Sequence, residues 1–159
     1  MSYVRNILVS ALLASVLISC NRKVRQPETT VVLILSGQNN HEWQKTSPLI
    51  AEILENSGLF EVSVTNDPDT LTYKSMKKYQ VILSNRNTWP DTCSRMSRRW
   101  EKDLVRYVSR GGGFVSLHAG ASSFYGWTDF HRIGIGRWGR DTRHGPIITG
   151  RICELDQSH

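Results

Sequence analysis

TCSRMSRRWEKDLVRYVSRGGGFVSL, residues 92–117, decides the fold. Met96, Trp100, Leu104 and Val108 recur at every fourth position and lay one apolar stripe along a helix, with basic and acidic residues on its other faces. The pattern predicts a helix from about Thr92 to Arg110. Gly111, Gly112 and Gly113 stop it, and Phe114-Val115-Ser116-Leu117 reads as a strand. A helix that runs straight into an apolar strand is half of a βαβ unit, so a preceding strand is expected upstream.

Val81-Ile82-Leu83 supplies that strand, short and buried. Further upstream, residues 31–36 (VVLILS) form a continuous apolar run, the pattern of a strand covered on both faces. A loop, Gly37–Lys45, follows it. The next segment carries helix punctuation, with Ser47 as cap, Pro48 in the first turn and Gly58 at the end. Leu49, Ile50, Ile53 and Leu54 keep helical spacing within it. Phe60 to Val64 alternates as an edge strand, and Asp69–Lys78 has room for a short helix. Strand and helix alternate, which predicts an α/β fold with a mainly parallel sheet. Ligands of such sheets bind beyond the carboxyl ends of the strands. Attention therefore falls on Gly37–Lys45, Ser84–Asp91 and His118–Pro146. The last is far longer than an ordinary connection, yet Phe124, Tyr125, Trp127, Phe130 and Trp138 make it too apolar for a solvated tail. Ile147 to Leu155 reads as a fifth strand. The chain then ends in a turn-like Asp156-Gln157-Ser158-His159 with no closing helix, so a truncated domain is expected.

The amino end has a different character. Met1 to Asn6 carries Arg5 and no acid, and Ile7 to Ile18 is an uncharged apolar run. That run falls short of the roughly 20 apolar residues of a membrane span and suits a signal-peptide core. Leu17-Ile18-Ser19-Cys20 resembles the lipobox of bacterial lipoproteins. The resemblance implies cleavage before Cys20 and its acylation, hence a lipid-anchored protein of the cell envelope facing the periplasm. Residues 1–19 are then the signal, 20–30 the lipidated cysteine and a polar, basic linker, and 31–159 the domain. Cys93 and Cys153 remain; an oxidising compartment permits a disulfide, but they do not make a zinc motif. The formal net charge is +6. Its charges are interleaved with acids and form no basic stripe with aromatics, which argues against a nucleic-acid partner.

Three stretches together resemble the ThuA-like (trehalose-utilisation) domain family: LILSGQNNHEWQKT (33–46), RYVSRGGGFVSLHAG (106–120) and FYGWTDFHRIGIGRWGRDTRHGP (124–146). The resemblance implies a flavodoxin-like fold similar to class I glutamine amidotransferases, here without its carboxyl-terminal strands and helix. It also implies a place in the use of trehalose, related disaccharides or their keto derivatives.

In amidotransferase-like folds a nucleophile sits on a sharp turn just after a central strand. The corresponding stretch is Ser116-Leu117-His118-Ala119-Gly120, with His118 where an amidotransferase has cysteine. Without the thiol no thioester route exists, so amidotransferase activity is not expected. An imidazole at a strand's carboxyl end suits a general base or a metal ligand. His41 should open on the same rim, and His144 closes the long loop. The three could converge on a divalent metal such as zinc, or serve as a metal-free catalytic or binding cluster. His131 is a weaker candidate. Asn40, Asn85, Arg137 and Trp138 are candidate substrate contacts, and Arg86, Asn87 and Trp127 share these loops, although core packing is the default for each aromatic. Gly134, Gly136 and Gly139 do not lie between a strand and a helix, so they are not a dinucleotide fingerprint. Two functions compete: an enzyme of carbohydrate catabolism centred on these histidines, and a non-catalytic sugar-binding lipoprotein. An inactive fragment of a damaged gene is the third reading.

Overall fold

The computed structural model describes residues 29–91, 93–138 and 142–150. The signal, Cys20, the linker up to residue 28, Cys153 and His159 lie outside the described residues.

Four strands form one parallel sheet: β1 (Thr30–Leu35), β2 (Phe60–Thr65), β3 (Val81–Ser84) and β4 (Gly113–Ser116), in the order β2-β1-β3-β4. The α/β sheet expected from the alternation is present and wholly parallel. The connection from β1 to β2 runs to one side and that from β3 to β4 to the other. With right-handed crossovers, helix α1 (Trp43–Asn56) therefore lies on one face and α3 (Arg98–Ser109) on the opposite face. The direction reverses between β1 and β3, which is the position where such sheets bind ligands.

The core lies under α3. Leu33 and Leu35 of β1 and Ile82 of β3 pack with Trp100, Leu104 and Tyr107 of α3 and with Met76 of the short helix α2 (Tyr73–Met76). Val32 and Ile34 are equally buried and alternate with Leu33 and Leu35, so they face the other side. The apolar run of β1 is thus explained by cover on both faces.

Helix α3 begins at Arg98, six residues later than the spacing suggests. Ser97 caps it, its hydroxyl accepting from the amide of Trp100 at 3.3 Å and donating to Asp69 at 2.7 Å. Arg95, ahead of the helix, forks onto Glu101 through two hydrogen bonds of 2.6 Å and donates to the carbonyl of Gly126 at 3.1 Å. Helix α1 starts earlier than expected, at Trp43, because Ser47 is not its cap. The Ser47 hydroxyl is buried and bonded to the Ser36 hydroxyl at 2.7 Å. The stripe expected on α1 is only partly used, since Leu49 and Ile53 remain exposed. The segment expected to hold a short helix has a 3₁₀ turn, Pro68–Thr70, and then α2, whose capping box pairs Thr72 with Ser75.

The long segment after β4 is folded rather than open. A 3₁₀ turn, His118–Ser122, leads to α4 (Thr128–Ile133), and Phe124, Trp127 and Phe130 bury their rings against one another and Trp100. The fifth strand is not formed over its described part: residues 147–150 are irregular, with Ile147 and Ile148 exposed, and residues 151–155 lie outside the described residues.

Candidate functional site at the carboxyl rim

Each of the central strands ends in a loop that carries polar residues. After β1, Gly37 turns the chain with φ of +89°, and any Cβ there would lie 2.1 Å from the carbonyl oxygen of Asn66. Only glycine fits such an approach. The loop it opens, Gln38 to Glu42, is laid across the switch point and stitched to the loop after β3. Asn39 donates to the carbonyl of Asn85 at 2.6 Å, and the amide of Asn87 donates to the carbonyl of Gln38 at 2.9 Å. Arg86 donates to the carbonyl of Ser36 at 3.1 Å and to the side chain of Gln38 at 2.7 Å. Asn87 donates to the side-chain oxygen of Asn40. Burial lowers the Arg86 pKa from its ordinary value, offset in part by Asp67 and Asp69, and its Nε is buried without a partner among the described residues.

The loop after β4 joins the same framework. The amide of Leu117 donates to the carbonyl of Ser84 at 3.0 Å, and the Ser123 hydroxyl donates to the carbonyl of Arg86 at 2.8 Å. The amide of Phe124 donates to the Thr88 hydroxyl at 3.0 Å. Between these ties stands His118, exposed, with φ of +45°. A non-glycine residue in the left-handed region directly after a strand is a strained turn, the backbone form of a nucleophile elbow. Gly120 makes the turn possible. A Cβ there would lie 2.6 Å from the carbonyl oxygen of Ser84 and 3.0 Å from the Ser116 hydroxyl.

His41 meets His118 at this rim, their ring centroids 4.9 Å apart and tilted by 38°. The amide of His41 donates to the Asn39 side chain at 3.0 Å, which fixes the turn that presents it. His144 packs on Trp138, with ring centroids 4.9 Å apart. Among the described residues no group of three or more His, Cys, Asp or Glu side chains is placed to hold a metal ion. The expected convergence of His41, His118 and His144 on zinc therefore does not fit the described residues; a pair of imidazoles does.

A family model described as ThuA, trehalose utilisation, matches residues 31–159. The chain belongs to the ThuA family. Among solved structures, it resembles a ThuA-like protein from Parabacteroides merdae, with 30% identity over 67% of this chain and 38% of that one, at a TM-score of 0.57. A ThuA-like protein from Bacteroides uniformis shares the fold at 21% identity, over 71% of this chain and 46% of that one, at a TM-score of 0.50. The chain thus spans less than half the length of either protein. No curated protein matches it.

The remaining candidates of this ThuA domain divide by where their side chains go. Asn85 turns inward, its amide donating to Thr46 at 3.1 Å and Ser47 at 2.9 Å, and so holds α1 to the sheet instead of facing a ligand. Asn40 is exposed at the rim and engaged with Asn87. Trp127 is core, at 5% exposure. Trp138 is half-buried, its amide donating to the carbonyl of Ala121 at 3.3 Å. Arg137 is exposed on a cavity it shares with Tyr125, Thr128, His131 and Arg132. Burial lowers the His131 pKa; a hydrogen bond that the imidazole donates to the backbone of Ser123 opposes this, and the charge of Arg137 adds to it. Trp89 was not among the candidates. It is 41% exposed on the loop after β3, 6.3 Å by ring centroids from Tyr125. An aromatic placed just past a buried strand was the available signal.

Proposed function

We propose that this ThuA-family chain is an envelope-anchored protein of carbohydrate catabolism, acting on trehalose or a related disaccharide or keto-sugar through His118 and His41. Cys20 anchors it to the membrane, facing the periplasm. The observation that carries the catalytic part is the left-handed turn at His118 with a second imidazole against it. The turn lifts the side chain clear of the strand, on the rim where the loops after β1, β3 and β4 are tied together. An imidazole there takes a proton from a hydroxyl or from a carbon beside a carbonyl, and the second imidazole returns one. No acyl-enzyme is formed, because the elbow offers no thiol.

Turnover of trehalose and its keto derivatives by the full chain, followed by product chromatography, tests this. General-base catalysis contributes about 10²–10⁴-fold, so His118→Ala should lower the rate by at least two orders of magnitude. An unchanged rate overturns the proposal. Acylation of Cys20 is tested separately, by metabolic labelling with a fatty acid and its loss in Cys20→Ser.

One observation favours a second reading, a sugar-binding lipoprotein without turnover. Among the described residues neither His41 nor His118 hydrogen-bonds a carboxylate through its ring, whereas a catalytic imidazole is commonly oriented by one. Calorimetric binding of the disaccharide with no product formed would decide for this reading.

A further inference from the structure

Tyr125, helix α4 and the residues after it line a cavity of about 460 Å³ whose polar side chains include two guanidinium groups, Arg132 and Arg137, with Thr128 and His131. Among the described residues no carboxylate lines it. Asp129 does pair with Arg132 at 3.5 Å, but both side chains are largely exposed, and such pairs neutralise little. Arg137 is exposed and has no carboxylate partner among the described residues. A neutral sugar offers donors and acceptors in equal measure, and sites for it mix acids and amides with bases. Two guanidinium groups, which donate and never accept, call for an acceptor-rich, negatively charged group.

Tyr125 lines the cavity, and Trp89 stands beside it with the two rings tilted by 43°. Two hydrogen bonds tie Trp89 back to the rim: its amide donates to the Asn87 side chain at 2.8 Å, and Asn87 in turn donates to Asn40, the neighbour of His41. The Phe124 amide on Thr88 holds the two aromatic-bearing loops together. An exposed tryptophan held rigidly at a binding rim offers a flat apolar face, which suits the C–H face of a sugar ring.

We propose that this cavity is a subsite for a pyranose that carries an anionic group, either a carboxylate or a phosphate. The Trp89–Tyr125 pair takes the ring, and Arg137 with Arg132 takes the charge. This rests on the carbohydrate reading above and, among the related disaccharides and keto-sugars it names, singles out those that carry an anionic group.

The test is titration calorimetry on the full chain with glucuronate, glucose 6-phosphate, glucose and inorganic phosphate. Loss of one charge-assisted hydrogen bond costs about tenfold or more in affinity. Glucuronate or glucose 6-phosphate should accordingly bind at least about tenfold more tightly than glucose, and the tighter of the two names the source of the charge. Arg137→Gln should erase that preference. Trp89→Ala should weaken both sugars together and keep it. Both side chains are solvent-accessible, and circular dichroism checks that each variant is folded. Equal affinity for glucose, no effect of Arg137→Gln, or inorganic phosphate binding as tightly as glucose 6-phosphate would each overturn the subsite. These affinities are read by calorimetry and the histidine chemistry by turnover, so failure of the subsite and failure of the histidine chemistry are read by different experiments.

Discussion

Replacing His118 with glycine should make the domain more stable than replacing it with alanine, although glycine is normally the worse choice. The φ of +45° places His118 in the left-handed region, where Cβ crowds the following carbonyl at a cost of roughly 1–2 kcal/mol. Alanine keeps that Cβ and its strain; glycine removes both. Against this, glycine gives the unfolded chain more freedom, which costs roughly 0.5–1 kcal/mol relative to alanine. The side chain is exposed, so no buried area enters the balance. The net expectation is that His118→Gly exceeds His118→Ala by about 0.5–1 kcal/mol, a factor of roughly two to five in the folding equilibrium. Urea denaturation followed by far-UV circular dichroism resolves this difference. The neighbouring Ala119 does not have a positive φ and serves as a control, where Ala119→Gly should lose stability. If His118→Gly proves less stable than His118→Ala, by the margin seen at the control, the turn is not strained and the elbow reading fails.

Gly120→Ala tests the same turn from the other side. Its Cβ would press on the Ser84 carbonyl, which already accepts the Leu117 amide, so the variant should lose about 1–3 kcal/mol and shift His118. Denaturation midpoints check the loss, and unchanged stability would count against the close approach. Tyr107 gives a pH dependence. Burial pushes its phenol up to about 12 from an ordinary value of 10.0, and the hydroxyl donates to the carbonyls of Tyr79 and Gly113. The unfolded chain loses this proton first, so the contribution is intact below the ordinary value and is lost as pH rises through the folded one. Tyr107→Phe should be less stable by about 1 kcal/mol near neutrality, through the lost hydrogen bonds, and less sensitive to alkali. Denaturation at a series of alkaline pH values measures both, and parallel curves for the two proteins would refute the assignment.

The fold was legible wherever an apolar pattern was continuous. Residues 31–36 read as a doubly covered strand because Val32 to Leu35 are all buried, and the stripe of α3 places Trp100 and Leu104 in the core. Helix starts were less legible. Ser47 is a good cap by type, yet its hydroxyl is used across the sheet by Ser36 and Asn85, a choice made by tertiary contacts that spacing does not record. The same holds at the rim. Position in the chain brought His41 and His118 to one place, because both follow strands of the one parallel sheet at its carboxyl rim. His144 lies past α4, where no strand fixes its direction, and it packs on Trp138 instead. Asn85 and Trp89 exchanged the roles that residue type suggests, the amide turning into the structure and the aromatic turning out.

The way the rim is held has a consequence for its chemistry. Backbone pairing ends with the strands, and beyond it the three loops are joined by Asn39, Asn40, Asn87, Gln38, Ser123 and the Arg86 guanidinium. The amides and the hydroxyl do not titrate, and an arginine stays protonated even when burial lowers its pKa. The framework therefore keeps its geometry at any pH at which the domain is folded. A change in activity with pH must then arise outside these ties, in the substrate or in the groups that the framework presents to it. Replacing Asn87 with aspartate would break this separation. It would place a carboxylate within reach of the Asn40 oxygen that now accepts a hydrogen bond, turning attraction into repulsion in the loop that carries His41.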